Sequence, residues 1–138
     1  QAIYRARPEL QAVVHTHSPQ ATALACLRRE LPAFHYMVAV AGGDSVRCAP
    51  YHLFGTEALS GAVVQALQDR KACLLATHGL VAAGANLAEA MKVTVEIESL
   101  CQSYLLALAA GEPVLLSAHE MASVLERFGR YGQPSLKG

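Results

Sequence analysis

The sequence has 138 residues, room for one compact domain and not for two separate cores. Apolar residues make up 53% and charged residues only 16%, so a buried core is available, wholesale disorder is excluded, and the thin cover of charge points to subunit contacts. The 11 basic and 11 acidic residues cancel and are dispersed without runs, which removes the electrostatic footprint of a nucleic-acid or anionic-membrane binder.

Gln1–Pro8 reads as the tail of a helix, not as a domain start, and a chain beginning with Gln1 is expected to have lost an upstream segment. Ala12, Val13 and Val14 run into His15-Thr16-His17, a short buried strand ending in polar residues. Ser18 before Pro19 is a helix start, with a capping hydroxyl and proline at the first helical position, and the helix is predicted through Ala21–Glu30 until Leu31-Pro32 ends it. Phe34–Ala41 fits a strand or a short helix equally. Gly42-Gly43-Asp44 makes a turn before a predicted strand at Val46–Ala49. Thr56 caps a predicted helix over Glu57–Asp69, and Lys71–Thr77 reads as a core strand broken at His78-Gly79 and resumed over Leu80–Ala83. Asn86, with Glu89 three residues on, opens a long helix over Leu87–Ala110. Its apolar face is Ala90, Val93, Ile97, Leu100, Tyr104 and Leu108, and Gly111 is the stop. Ser117 with Glu120 starts the last helix through a capping box. Strands alternating with helices give a layered α/β domain.

No stretch is expected to qualify as a membrane span, because the most apolar windows carry His78 and Gly79 or are cut by Gly111, Glu112 and Pro113. Four cysteines without a C-x-x-C pair or a secretory leader suggest reduced thiols and a cytoplasmic protein.

Among six histidines, His15 and His17 are spaced so that a strand throws both imidazoles to one side, with Cα atoms about 6.6 Å apart. Two such rings can converge on one ion, and a catalytic zinc site needs a third protein ligand. His78, ending an apolar strand before a glycine, is the best-placed candidate. On the residues alone, a pair of hydrogen-bonded strand histidines explains H-x-H as well as a metal does. His35, His52 and His119 are not assigned to the metal; His35 is read as orienting its neighbour Tyr36. The length excludes a β/α-barrel hydrolase, and the long helix excludes a small cupin-type barrel.

Several blocks together resemble the class II aldolase/adducin family: Arg7-Pro8-Glu9 ahead of Ala12-Val13-Val14-His15-Thr16-His17, Pro32-Ala33-Phe34-His35-Tyr36-Met37, Ala41-Gly42-Gly43, Cys48-Ala49-Pro50-Tyr51 with Phe54-Gly55-Thr56, and Arg70-Lys71-Ala72 through His78-Gly79-Leu80. The resemblance covers essentially all of residues 1–138 and corresponds to the C-terminal two-thirds of a family member. It implies an α/β fold, a layered sheet with flanking helices, here as an N-terminally truncated single domain. It further implies zinc held by His15, His17 and His78, and reversible cleavage of a ketose 1-phosphate to dihydroxyacetone phosphate and an aldehyde. There a divalent ion stabilises the enediolate in place of a Schiff-base lysine. Tyr36 and Tyr131 are implied as catalytic phenols, and Phe54 and Phe128 as walls of the aldehyde pocket. The tail carrying Tyr131 resembles one that reaches a neighbouring subunit in a homotetramer. Thr77 stands where relatives often carry His or Asn.

The acid/base glutamate and the phosphate-binding loops of the family match nothing in Gln1–Pro8, so this stretch alone is expected to be inactive or nearly so. Two rivals share the fold: a pentulose-5-phosphate 4-epimerase, disfavoured by the Tyr36 and Cys48–Thr56 blocks, and a non-catalytic adducin-like interaction module, disfavoured by retention of all three histidines.

Overall fold

Short apolar segments bounded by turns pair into one sheet, and the amphipathic segments between them cover it. A computed structural model describes residues 1–130. The elements in chain order are α1 (Ala2–Ala6), β1 (Ala12–Thr16), α2 (Pro19–Cys26), a 3-10 helix (Tyr36–Ala41), β2 (Arg47–Ala49), α3 (Glu57–Ala66), β3 (Ala72–Leu75), β4 (Gly79–Gly84), α4 (Leu87–Ala110) and α5 (Ala118–Arg130). The strand order is β1-β4-β3-β2. β4 is antiparallel to both neighbours, while β2 and β3 are parallel. β1, β2 and β3 therefore share a direction, and their carboxyl ends lie along one edge.

The two central strands are buried throughout, β3 as Ala-Cys-Leu-Leu and β4 as Gly-Leu-Val-Ala-Ala-Gly, as continuous apolar runs covered on both faces must be. Alternation sends Leu74, Leu80 and Ala82 to one side, against Leu24 of α2 and Val93, Ile97 and Leu100 of α4. Cys73, Leu75 and Val81 go to the other side, against Ala62, Val63 and Ala66 of α3. Burial pushes the Cys73 thiol up to about 12, so it packs as a neutral apolar group.

α4 spans its predicted range, with Asn86 Oδ1 accepting the Glu89 amide at 2.9 Å. The Glu89 carboxylate accepts from Ala85 N–H at 2.7 Å and from Lys71 Nζ. The expectation that no segment is long and apolar enough to cross a membrane does not hold: by length and composition α4 passes. Its apolar stripe is spent on packing over β4, β1 and α2, and Leu108 at its far end is only partly buried.

α2 stops at Cys26, short of the predicted Glu30. Arg28 adopts a left-handed φ of 53°, and Leu31 then forms both hydrogen bonds of a bridge to Val46 at 2.9 Å, a long-range pairing that overrides helix propensity. α3 likewise ends at Ala66, short of Asp69, because Asp69 turns at φ 56° and the Arg7 guanidinium takes the Leu67 carbonyl. The segment open between strand and helix at Phe34–Ala41 is a 3-10 helix from Tyr36, capped by His35 Nδ1 accepting from Met37 N–H at 3.1 Å. The Ser117–Glu120 box forms reciprocally, at 3.1 and 3.3 Å.

Candidate metal centre

The carboxyl edge of the sheet brings the three predicted histidines together. β1 supplies His15 opposite Val81 of β4, and His17 follows as the chain leaves the strand. The third ring arrives by a tight turn after β3: Thr77 takes φ 56°, its amide donates to Ala25 O at 3.0 Å, and His78 N–H donates back to Leu75 O at 2.9 Å. Ring centroids stand 4.8–4.9 Å apart in all three pairings, and the candidate ligand nitrogens lie within 4.8 Å of one another.

Hydrogen bonding fixes how the rings present themselves. His15 Nδ1 is 3.0 Å from Leu80 O; a carbonyl only accepts, so Nδ1 carries the proton and Nε2 keeps its lone pair toward the cluster. That Nε2 is 3.1 Å from His17 Nε2. Two imidazole nitrogens on a tetrahedral zinc, each at about 2.0–2.1 Å, stand about 3.4 Å apart, so this pair is spaced for one ion. Desolvation, followed by the neighbouring His15 and His17 rings, holds His78 below the ordinary imidazole range, which keeps it in the neutral, ligating form. Three converging imidazoles, one oriented by a backbone carbonyl and all at least partly exposed, are a donor set that fits a divalent ion with a coordination position left open.

Gly79 makes the approach possible. A Cβ built there would sit 2.4 Å from Thr16 O and 3.1 Å from His17 Cδ2, so the turn carrying His78 lies directly against the backbone that carries His17. Thr77, beside the third ring, donates its hydroxyl to Ala76 O at 2.7 Å.

The other predicted residues within the described range, Tyr36, Phe54 and Phe128, lie apart from the histidine cluster. Tyr36 is half exposed and stacks on His35, centroids 4.9 Å apart at 25°, as expected for a ring that orients its neighbour. Tyr36 and Phe128 line a common cleft of about 950 Å³ with Met37, Lys71, Lys92 and Arg127, and none of the three histidines is on its wall. Phe54 is 76% exposed and lines no part of that cleft. Tyr131 falls outside the described residues. His52 and His119 stay out of the cluster.

One expectation at this edge is corrected. Ser18 has the backbone of an N-cap, yet its hydroxyl makes no cap bond. The carboxylate of Glu98, reaching from α4, accepts instead from Gln20 N–H and Ala21 N–H, each at 2.8 Å. Sequence reasoning missed Glu98 because an acid between the buried Ile97 and Leu100 carries no local signal of a partner 77 residues away.

Residues 1–105 match the profile of the class II aldolase and adducin N-terminal domain. The chain belongs to the class II aldolase and adducin family. Among relatives of this family chain, a 5-methylthioribulose-1-phosphate/5-deoxyribulose-1-phosphate aldolase of Rhodospirillum rubrum is 52% identical over 126 residues, 91% of this chain and 57% of that protein. An L-fuculose phosphate aldolase of Escherichia coli K12 is 51% identical over 132 residues, 95% of this chain and 61% of that protein. A solved L-fuculose 1-phosphate aldolase superposes with a TM-score of 0.88 at 44% identity, covering 91% of this chain and 59% of that one. The class II aldolase and adducin chain described here thus spans about three-fifths of the length of the curated relatives it matches.

Proposed function

We propose that this chain carries the metal-holding portion of a zinc-dependent aldolase that reversibly cleaves a ketose 1-phosphate, of the L-fuculose 1-phosphate type, to dihydroxyacetone phosphate and an aldehyde. The observation that carries the reading is the convergence of His15, His17 and His78, with ligand nitrogens within 4.8 Å of one another. Relatives named as aldolases of 1-phosphorylated ketoses support the substrate class.

A divalent ion bound there supplies Lewis acidity for the negative charge left on the substrate oxygens when the carbon–carbon bond breaks. The protein's own groups prepare that role. The Leu80 carbonyl holds His15 in the tautomer whose Nε2 is free to ligate. The depressed His78 stays unprotonated at neutral pH. Partial exposure of the rings leaves room for the sugar phosphate.

Tyr36 is the phenol we assign to the oxyanion developing at the aldehyde end, with Phe128 as an apolar wall beside it; Tyr131 would donate a proton and Phe54 would border the aldehyde. Because Tyr36 and Phe128 share a cleft that the histidines do not line, the reading places them opposite the metal of a second copy, within a homotetramer. The 4-epimerase is the nearest alternative, favoured by the shared metal centre and disfavoured by the Tyr36 and Cys48–Thr56 blocks.

Elemental analysis of the purified chain is expected to find about one zinc per subunit, falling to near zero in His15→Ala, His17→Ala and His78→Ala. The intact protein is expected to release dihydroxyacetone phosphate from L-fuculose 1-phosphate, and the chain starting at Gln1 to turn over little. Zinc-free protein that keeps its fold would favour the adducin-like alternative, and epimerisation without dihydroxyacetone phosphate would favour the epimerase.

A further inference from the structure

We infer that Glu98 is a positioning residue for the metal centre, which holds the His17 ligand in place by anchoring the start of α2 to α4. The inference rests on the zinc reading and extends it to a residue outside the cluster.

His17 is followed only by Ser18 before α2 begins at Pro19. Proline has no N–H, so Gln20 and Ala21 carry the first free amides of the helix, and both donate to the one Glu98 carboxylate at 2.8 Å. The carboxylate also sits at the positive end of the helix dipole, where its charge is best placed. Upstream of His17, Thr16 is fixed by its pairing with Leu80. Beside the ring, Gly79 is in close approach to Thr16 O and His17 Cδ2. His17 therefore lies on a two-residue bridge whose near end is tied to the sheet and whose far end, the first turn of α2, is hydrogen-bonded to α4 through Glu98, while Leu24 packs on α4 a turn further on.

Capping by itself does not account for the glutamate. Ser18 already occupies the N-cap with extended φ −60° and ψ 140°, and a serine there ordinarily caps with its own hydroxyl. Here that hydroxyl is buried and unpartnered, as is Thr22 Oγ1 one turn later. The local cap has been displaced by Glu98, 78 positions beyond the Gln20 amide it accepts from. What the distant carboxylate adds is a rigid link between the segment after His17 and the long helix that packs on β4 and β1, the two strands flanking the ligands. Groups that orient metal ligands without touching the ion typically contribute about 10- to 100-fold to metal affinity.

The test compares the unaltered chain with Glu98→Ala and Glu98→Gln, titrating zinc against a chromophoric chelator and recording the visible spectrum of the cobalt-loaded forms. A melt of each metal-free form sets a temperature at which all are folded. Glu98→Ala is expected to weaken zinc about 10- to 100-fold and to alter the cobalt ligand-field bands. Glu98→Gln, which keeps the side-chain volume but only one of the two accepting oxygens, is expected to weaken zinc by a smaller but measurable factor and to shift the cobalt bands in the same sense, so that it serves alone if the alanine variant does not fold. A purely structural cap would lower the metal-free melting temperature and leave affinity and spectrum unchanged in both variants; that result overturns the inference. Failure of the unaltered chain to bind zinc overturns the metal reading along with it, whereas equal affinities across the three proteins overturn the role of Glu98 only.

Discussion

Substituting Gly79 by alanine adds a single methyl group and is expected to cost the metal centre more than the fold. The new Cβ would stand 2.4 Å from Thr16 O, against an ordinary carbon–oxygen contact of about 3.3–3.6 Å, so the backbones must separate by about 1 Å. The obstruction is main chain and cannot rotate away, and the backbone of Gly79 is not in the left-handed region, so the cost is steric. Overpacking of this kind destabilises by about 1–3 kcal/mol. The centre is less tolerant, since ligand distances are held to about ±0.2 Å, and a 1 Å displacement moves His78 away from His15 and His17 together. Zinc affinity is expected to fall at least about tenfold, equivalent to about 1.4 kcal/mol, in a protein that remains folded at 25 °C. Competitive zinc titration with a parallel thermal melt measures both effects. Gly79→Ala that melts a few degrees lower yet binds zinc as tightly as the unaltered chain would refute the argument that this close approach sets the ligand geometry.

Two further predictions concern the frame around the site. The Glu89 carboxyl is held below its usual value of 4.5 by the Lys71 hydrogen bond first and the Ala85 amide second. The unfolded chain therefore takes up its proton before the folded one, and this contribution is whole above the unfolded pKa and disappears as pH falls through the folded one. Glu89→Gln should accordingly flatten the acid side of a melting-temperature curve between about pH 6 and pH 3; curves that run parallel would remove the pair from the stability account. Ile97 is fully buried between α4 and the sheet, so Ile97→Ala is expected to destabilise by about 2–5 kcal/mol, read as a loss of several degrees per kcal/mol in the melt, and a shift within about 0.5 kcal/mol would contradict the packing described.

Much of this organisation is legible in the chain itself, and the reason differs by element. Asn86 with Glu89 and the spacing of Ala90, Val93, Ile97, Leu100 and Tyr104 define α4 completely, because cap and periodicity are local properties. The ends of α2 and α3 are not legible, since they are set by Leu31 pairing with Val46 and by Arg7 reaching the Leu67 carbonyl. His15 and His17 stand out through period-2 geometry. The place of His78 beside them depends on β4 lying between β1 and β3, which no short motif encodes. Ser18 misleads for the same reason: its sequence context is that of a cap, and a carboxylate from a distant helix takes its place.

The insertion of β4 between β1 and β3 has a consequence for how the chain acquires its structure. His15 and Leu80 touch across 65 residues of sequence, so the edge that gathers the imidazoles closes only after a large loop has been drawn shut, among the slower events in folding a mixed sheet. A cation captured there stabilises only chains that have completed this step, in proportion to its free concentration. Scarcity of such an ion would thus leave a smaller share of chains with this edge closed.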